Sequence, residues 1–128
     1  MRCMKIVPAM AILMISGQLH AAEPMSADAV KSLMSNNTMN GKNLKKDKNF
    51  TNYFREDGSA TKLTSKGKKW QGKWSVKDDG QHCVEWDKKK KRGGCGAIVD
   101  LGNGTYHKLE GDKPRVEFTI TEGNAKNL

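Results

Sequence analysis

The residues whose type and spacing could do chemistry are Cys83 and Cys95, which bracket the run Lys88-Lys89-Lys90-Lys91-Arg92. A cysteine pair can supply a nucleophile, metal ligands or a disulfide. The separation is unlike the Cys-x-x-Cys spacing of a redox pair. Metal binding needs converging His, Cys or carboxylate ligands. Only His82 and His107 follow residue 22, and neither stands in a His-x-His or His-Glu-x-x-His motif. His82 shares a face with Val84 and Trp86, which reads as a hydrogen-bonded core histidine. We therefore expect no metal and no cofactor. A hydrolase would need a base beside a nucleophile or two facing carboxylates. Glu85, Asp87, Asp100, Glu110 and Glu117 are present, but nothing in the sequence pairs any two of them. The chain is expected to be non-enzymatic.

The start of the chain decides what the cysteines do. Arg2 and Lys5 precede an apolar run from Ile6 to Ile15, and Gln18-Leu-His-Ala-Ala22 closes it with small and polar residues. This is the layout of a secretory signal peptide over residues 1–22. A bilayer span needs roughly 20 apolar residues, so the run predicts a cleaved leader rather than an anchor. Cys3 leaves with the leader, which makes Cys83 and Cys95 a pair, expected to form a disulfide in a periplasmic or secreted protein. A Cys83 nucleophile is then excluded, because the bond consumes its thiolate.

Loss of Arg2 and Lys5 leaves 21 basic and 14 acidic residues, a net charge of +7 on residues 23–128. The loop Lys88, Lys89, Lys90, Lys91, Arg92 has two readings. One is a solvated hairpin tip that keeps a small protein soluble. The other is an electrostatic finger for phosphate or carboxylate groups of an anionic envelope component or an acidic protein. Lys42, Lys45, Lys46, Lys48, Lys66, Lys68 and Lys69 could extend its patch. Nucleic acid is not the partner expected for an exported chain without a base-reading motif. A second functional reading is a periplasmic inhibitor or accessory protein that uses a hairpin loop against another protein. Nothing in the sequence indicates an oligomeric state.

These residues must be positioned by strands. Asn40-Gly41, Asp57-Gly58, Asp79-Gly80 and Asn103-Gly104 are hairpin-turn dipeptides. Between them apolar residues alternate, as in Trp74 and Val76, in His82, Val84 and Trp86, and in Val116, Phe118 and Ile120. The strands read as 49–55, 60–65, 68–77, 81–86, 96–101, 105–110 and 115–121. The fold class is mostly β: a seven- to eight-stranded antiparallel meander in a small barrel or strongly curved sheet, forming one domain over 23–128. One short N-terminal helix over 26–35, capped by Ser26, docks on it through Ala27, Val30, Leu33 and Met34. Trp70, Trp74 and Trp86 are expected in the core. With so few large aromatics the interior is expected to be one compact core, without a wide ligand cavity.

Asn37-Thr38, Tyr53-Phe-x-x-Asp-Gly58, Gly72-x-Trp-x-Val76, Cys83-x-x-Trp86, Cys95 and Tyr106 follow one another in order. The series resembles a group of small exported bacterial proteins of uncharacterised function, with a Tyr-Phe-x-x-Asp-Gly turn, a Gly-x-Trp strand and a cysteine pair. The resemblance implies a periplasmic, mostly β domain and transfers no catalytic residue.

Overall fold

Turn residues fix where the strands end, and the alternation of apolar residues fixes which face turns inward. The computed structural model describes residues 23–87 and 93–128. The expected leader and the run Lys88 to Arg92 lie outside the described residues. The helix α1 spans Ala27–Met34, and Ser26 caps it by accepting from the Ala29 N–H at 3.2 Å. Its Val30 and Met34 are fully buried in the core. A helix this short is marginal alone in water and depends on that packing.

Nine strands follow: β1 (Asn37–Asn43), β2 (Lys48–Phe54), β3 (Ser59–Leu63), β4 (Lys69–Val76), β5 (His82–Trp86), β6 (Gly94–Gly96), β7 (Ile98–Asp100), β8 (Tyr106–Glu110) and β9 (Lys113–Glu122). All pair antiparallel in one sheet, in the order β6-β5-β4-β3-β2-β1-β9-β8-β7. Its two ends are consecutive in the chain, with only Ala97 between β6 and β7. At Ala97 the chain changes partner. Cys95 pairs with Cys83 of β5, Ile98 pairs with Lys108 of β8, and the Leu109 N–H donates to the Ala97 carbonyl at 2.9 Å. The curled sheet is thereby nearly closed into a barrel, which leaves few open edges.

The strand count is nine rather than seven or eight. Part of the difference is the division at Ala97; the rest is β1, which displaces an expected turn. Asn40-Gly41 lies within β1 and pairs with Thr51 and Phe50 of β2. Gly41 serves packing there, because a Cβ at this position would fall against the Phe50 ring. The other three dipeptides do sit between strands, with φ of 95° at Gly58, 92° at Gly80 and 86° at Gly104.

Register carries the inward face around the barrel. Met39 pairs with Asn52, Asn52 with Lys62, Lys62 with Trp70, Gly72 with Trp86, and Lys108 with Val116. At one end Phe54, Ala60, Ile98 and the helix residues Val30 and Met34 form a closed core. Phe54 meets the His82 ring edge-on at 4.8 Å. Trp74 is partly buried against this core, and its indole N–H donates to the Arg55 carbonyl at 2.7 Å. No helix among the described residues is long and apolar enough to cross a membrane.

Candidate ligand-binding cavity

Away from the helix the inward face becomes polar, and the barrel opens. A cavity of about 620 Å³ lies there. It contradicts the expectation of a compact interior without a ligand-sized space, and its size falls within the roughly 300–1,000 Å³ of small-molecule sites. The aromatics suffice because they line the space instead of filling it. Phe50, Trp70, Val84, Trp86 and Val116 make its apolar wall. Trp86 is buried as expected, whereas Trp70 is only partly so. The indole of Trp86 lies against Gly72, where a side chain would strike both it and the Glu85 carbonyl.

Charge in this cavity is one-sided. Glu110 is its only acidic lining residue among those described, and it is paired with Arg115. Exposed Lys46, Lys48, Lys66 and Lys68 stand around it. Half-buried Lys62 and Lys108 project from β3 and β8 into the barrel. The Lys62 ammonium lies over three rings, 4.6 Å from the centroid of Phe50, 5.0 Å from Trp70 and 5.8 Å from Trp86. Such cation–π contacts draw the ammonium onto the ring faces.

Lys108 sits where the β8–β9 register shifts, between Lys108 and Leu109. Bulges of this kind re-aim a side chain. Its Nζ donates to the Gly94 carbonyl at 3.1 Å and lies 3.2 Å from His82 Nδ1. The ion pairs among the described residues are Lys42 with Asp47, His107 with Glu117 and Arg115 with Glu110, so no carboxylate meets Lys108. Burial, with the Lys62 charge adding to it, pushes the Lys108 pKa down to about 8 from 10.5. Part of its surface still faces the cavity.

His82 is the core histidine the sequence predicts, with 1 % of its surface exposed. Burial first, then the neighbouring Lys108 charge, holds it well below the ordinary histidine range, so the ring is neutral at pH 7. Because a lysine can only donate to Nδ1, the ring proton is assigned to Nε2. His82 Nε2, Asn52 Oδ1 and Arg115 Nε are the buried side-chain polar atoms without a partner among the described residues. All three belong to residues that line this cavity. Native proteins leave few buried polar groups unsatisfied, so this clustering is informative.

The expected disulfide is present: Cys83 and Cys95 face each other across β5 and β6, with Cα atoms 4.0 Å apart. Of the expected binding residues, Lys88, Lys89, Lys90, Lys91 and Arg92 lie outside the described residues. The chain on either side of them, at Trp86 and at Gly93 and Gly94, lines the cavity. Among the lysines named as extending the patch, Lys46, Lys48, Lys66 and Lys68 line the cavity, whereas Lys42 pairs with Asp47 at 3.0 Å. Sequence reasoning missed Lys62 and Lys108. The available signal was that Lys62 alternates in phase with Ala60, and Lys108 with Tyr106.

A family model matches residues 4–112 of the 128. The chain belongs to this family, described as a protein of unknown function (DUF995). In this DUF995 chain the matched stretch includes Lys62, His82, both cysteines and Lys108, and ends before Arg115 and Val116. No curated protein matches the sequence.

Proposed function

We propose that the chain is a non-enzymatic periplasmic or secreted binding protein whose barrel mouth holds the anionic group of an envelope component. The observation that carries this reading is Lys108: a cation set inside the barrel, beside a second cation, with no carboxylate paired to it among the described residues. An interior charge without a counter-charge is costly, and an anionic ligand would remove that cost. The disulfide supports an oxidising, exported location. The run Lys88 to Arg92 joins the two strands whose ends line the mouth, which favours a steering role for its charge.

Inorganic phosphate tests the reading. Titrated into the protein at low salt, it is expected to shift the backbone amide resonances of Val84, Trp86, Gly94, Lys108 and Val116, and the effect should weaken as salt screens the rim charges. A variant with residues 88–92 changed to serine should show the same pattern at lower affinity. No shifts, or shifts on outward positions such as Thr51 and Thr119, would overturn the proposal.

A further inference from the structure

The lining of the cavity is mostly polar or charged, and its aromatic part already has a partner in the protein. The Lys62 ammonium lies on the faces of Phe50, Trp70 and Trp86. What the cavity offers instead is a set of hydrogen-bonding atoms: His82 Nε2, Asn52 Oδ1 and Arg115 Nε, each buried and without a partner among the described residues. His82 and Asn52 are only 1 % and 6 % exposed. The three atoms come from β5, β2 and β9, and both β3 and β4 stand between β2 and β5 in the sheet. With the proton on His82 Nε2, two of them donate and one accepts. Turning the Asn52 amide over would only replace the acceptor by a donor. An alkyl chain satisfies none of these atoms, and an ionised carboxylate or phosphate oxygen only accepts. A hydroxyl both donates and accepts, so several hydroxyls on one frame can meet unlike groups on separate strands.

We infer that the ligand is a polyhydroxylated anion, a sugar or other polyol bearing one phosphate or carboxylate, with its anionic group at Lys108 and its hydroxyls at Asn52, His82 and Arg115. This rests on the reading of the barrel mouth as the anion site and adds the class of what enters. The charged and neutral seats adjoin, because Lys108 Nζ lies 3.2 Å from His82 Nδ1. Asn43, Asn49, Thr64 and Ser65 continue the polar lining. The volume of about 620 Å³ suits one sugar unit with its acid group. Buried polar atoms without partners cost stability, and hydroxyls that pair them remove that cost, which a plain anion at Lys108 does not. The rim lysines, Lys46, Lys48, Lys66 and Lys68, attract the anion to the mouth.

The test is a ligand series that separates the anion from the hydroxyls, read by calorimetry on the oxidised protein. The probes are glucose 6-phosphate, glucose, inorganic phosphate and hexyl phosphate, the last carrying the same acid on an apolar body. Glucose 6-phosphate is expected to bind at least about tenfold more tightly than each of the other three. Asn52→Leu is expected to bring glucose 6-phosphate down toward the affinity of inorganic phosphate and to leave inorganic phosphate unchanged; the wild-type series decides the matter if this variant misfolds. Inorganic phosphate or hexyl phosphate binding as tightly as glucose 6-phosphate would overturn the polyol and leave the anion site standing. Glucose matching glucose 6-phosphate, with no response to phosphate, would overturn both. Retention on phosphatidylglycerol vesicles that glucose 6-phosphate displaces would uphold the class and assign its source to a lipid head group. Retention that glucose 6-phosphate does not displace would overturn the inference.

Discussion

A Cys83→Ala, Cys95→Ala double variant is expected to unfold about 3 kcal/mol more easily than the oxidised wild type. The bond joins residues twelve apart in sequence, and its loss frees the unfolded chain to explore conformations that the closed loop excludes. For a domain whose whole stability is on the order of 5–15 kcal/mol, this is a large fraction. The native state is affected too. The strand β6 is three residues long and holds one end of the sheet in place. The Gly94 carbonyl that accepts from Lys108 lies on that strand. Urea unfolding of the two proteins measures the difference through the transition midpoint. Equal midpoints would mean that strand pairing alone closes this part of the barrel. A smaller midpoint with weaker anion binding would show that the bond also shapes the cavity.

Lys108→Met is expected to flatten the alkaline arm of the stability profile and to weaken phosphate binding by at least about tenfold. The folded pKa lies near 8 and the unfolded value near 10.5, so between these limits the unfolded chain binds more protons than the native one. Stability of the wild type therefore rises with pH across that window. The gap sets an upper limit of roughly 3 kcal/mol, which water reaching the cavity reduces. His82 acts at the other end. Its folded pKa is depressed below 6.5, so its contribution is complete above 6.5 and is lost as pH falls below that value. Chemical denaturation from pH 5 to 10.5 would show both arms in the wild type and only the acid arm in Lys108→Met. An unchanged alkaline arm would show that Lys108 is not the group responsible.

The barrel was legible where alternation and turn chemistry agree. The inward faces of β4, β5 and β9 follow from Trp74 and Val76, from Val84 and Trp86, and from Val116 and Phe118. Ser26 marked the helix start. The strand β1 was hidden because Asn37-Thr-Met-Asn-Gly-Lys-Asn43 carries one large apolar residue, Met39, and a turn-like Asn-Gly. Its Thr38 is nevertheless buried, with the hydroxyl donating to the Gly123 carbonyl at 2.6 Å. That contact joins residues 85 apart in sequence and leaves no local signal. The change of partner at Ala97 is hidden for the same reason.

The cavity was less legible than the fold. A lysine on a strand normally faces water, so Lys62 and Lys108 read as surface charge, and attention goes to the longer run at 88–92. Only closure of the barrel turns the Ala60 face and the Tyr106 face inward together. His82 could be read as a core residue, but its contact with Lys108 required the β5 and β8 strands to be brought together across Ala97.

The account depends on Lys108 being an interior cation that an anionic ligand completes. The most direct measurement is the titration of its side-chain ammonium by nuclear magnetic resonance, without and with inorganic phosphate. The pKa is predicted to lie near 8 in the free protein and to move up toward 10.5 when phosphate is bound. A free-protein value already at 10.5, unmoved by phosphate, would contradict the account.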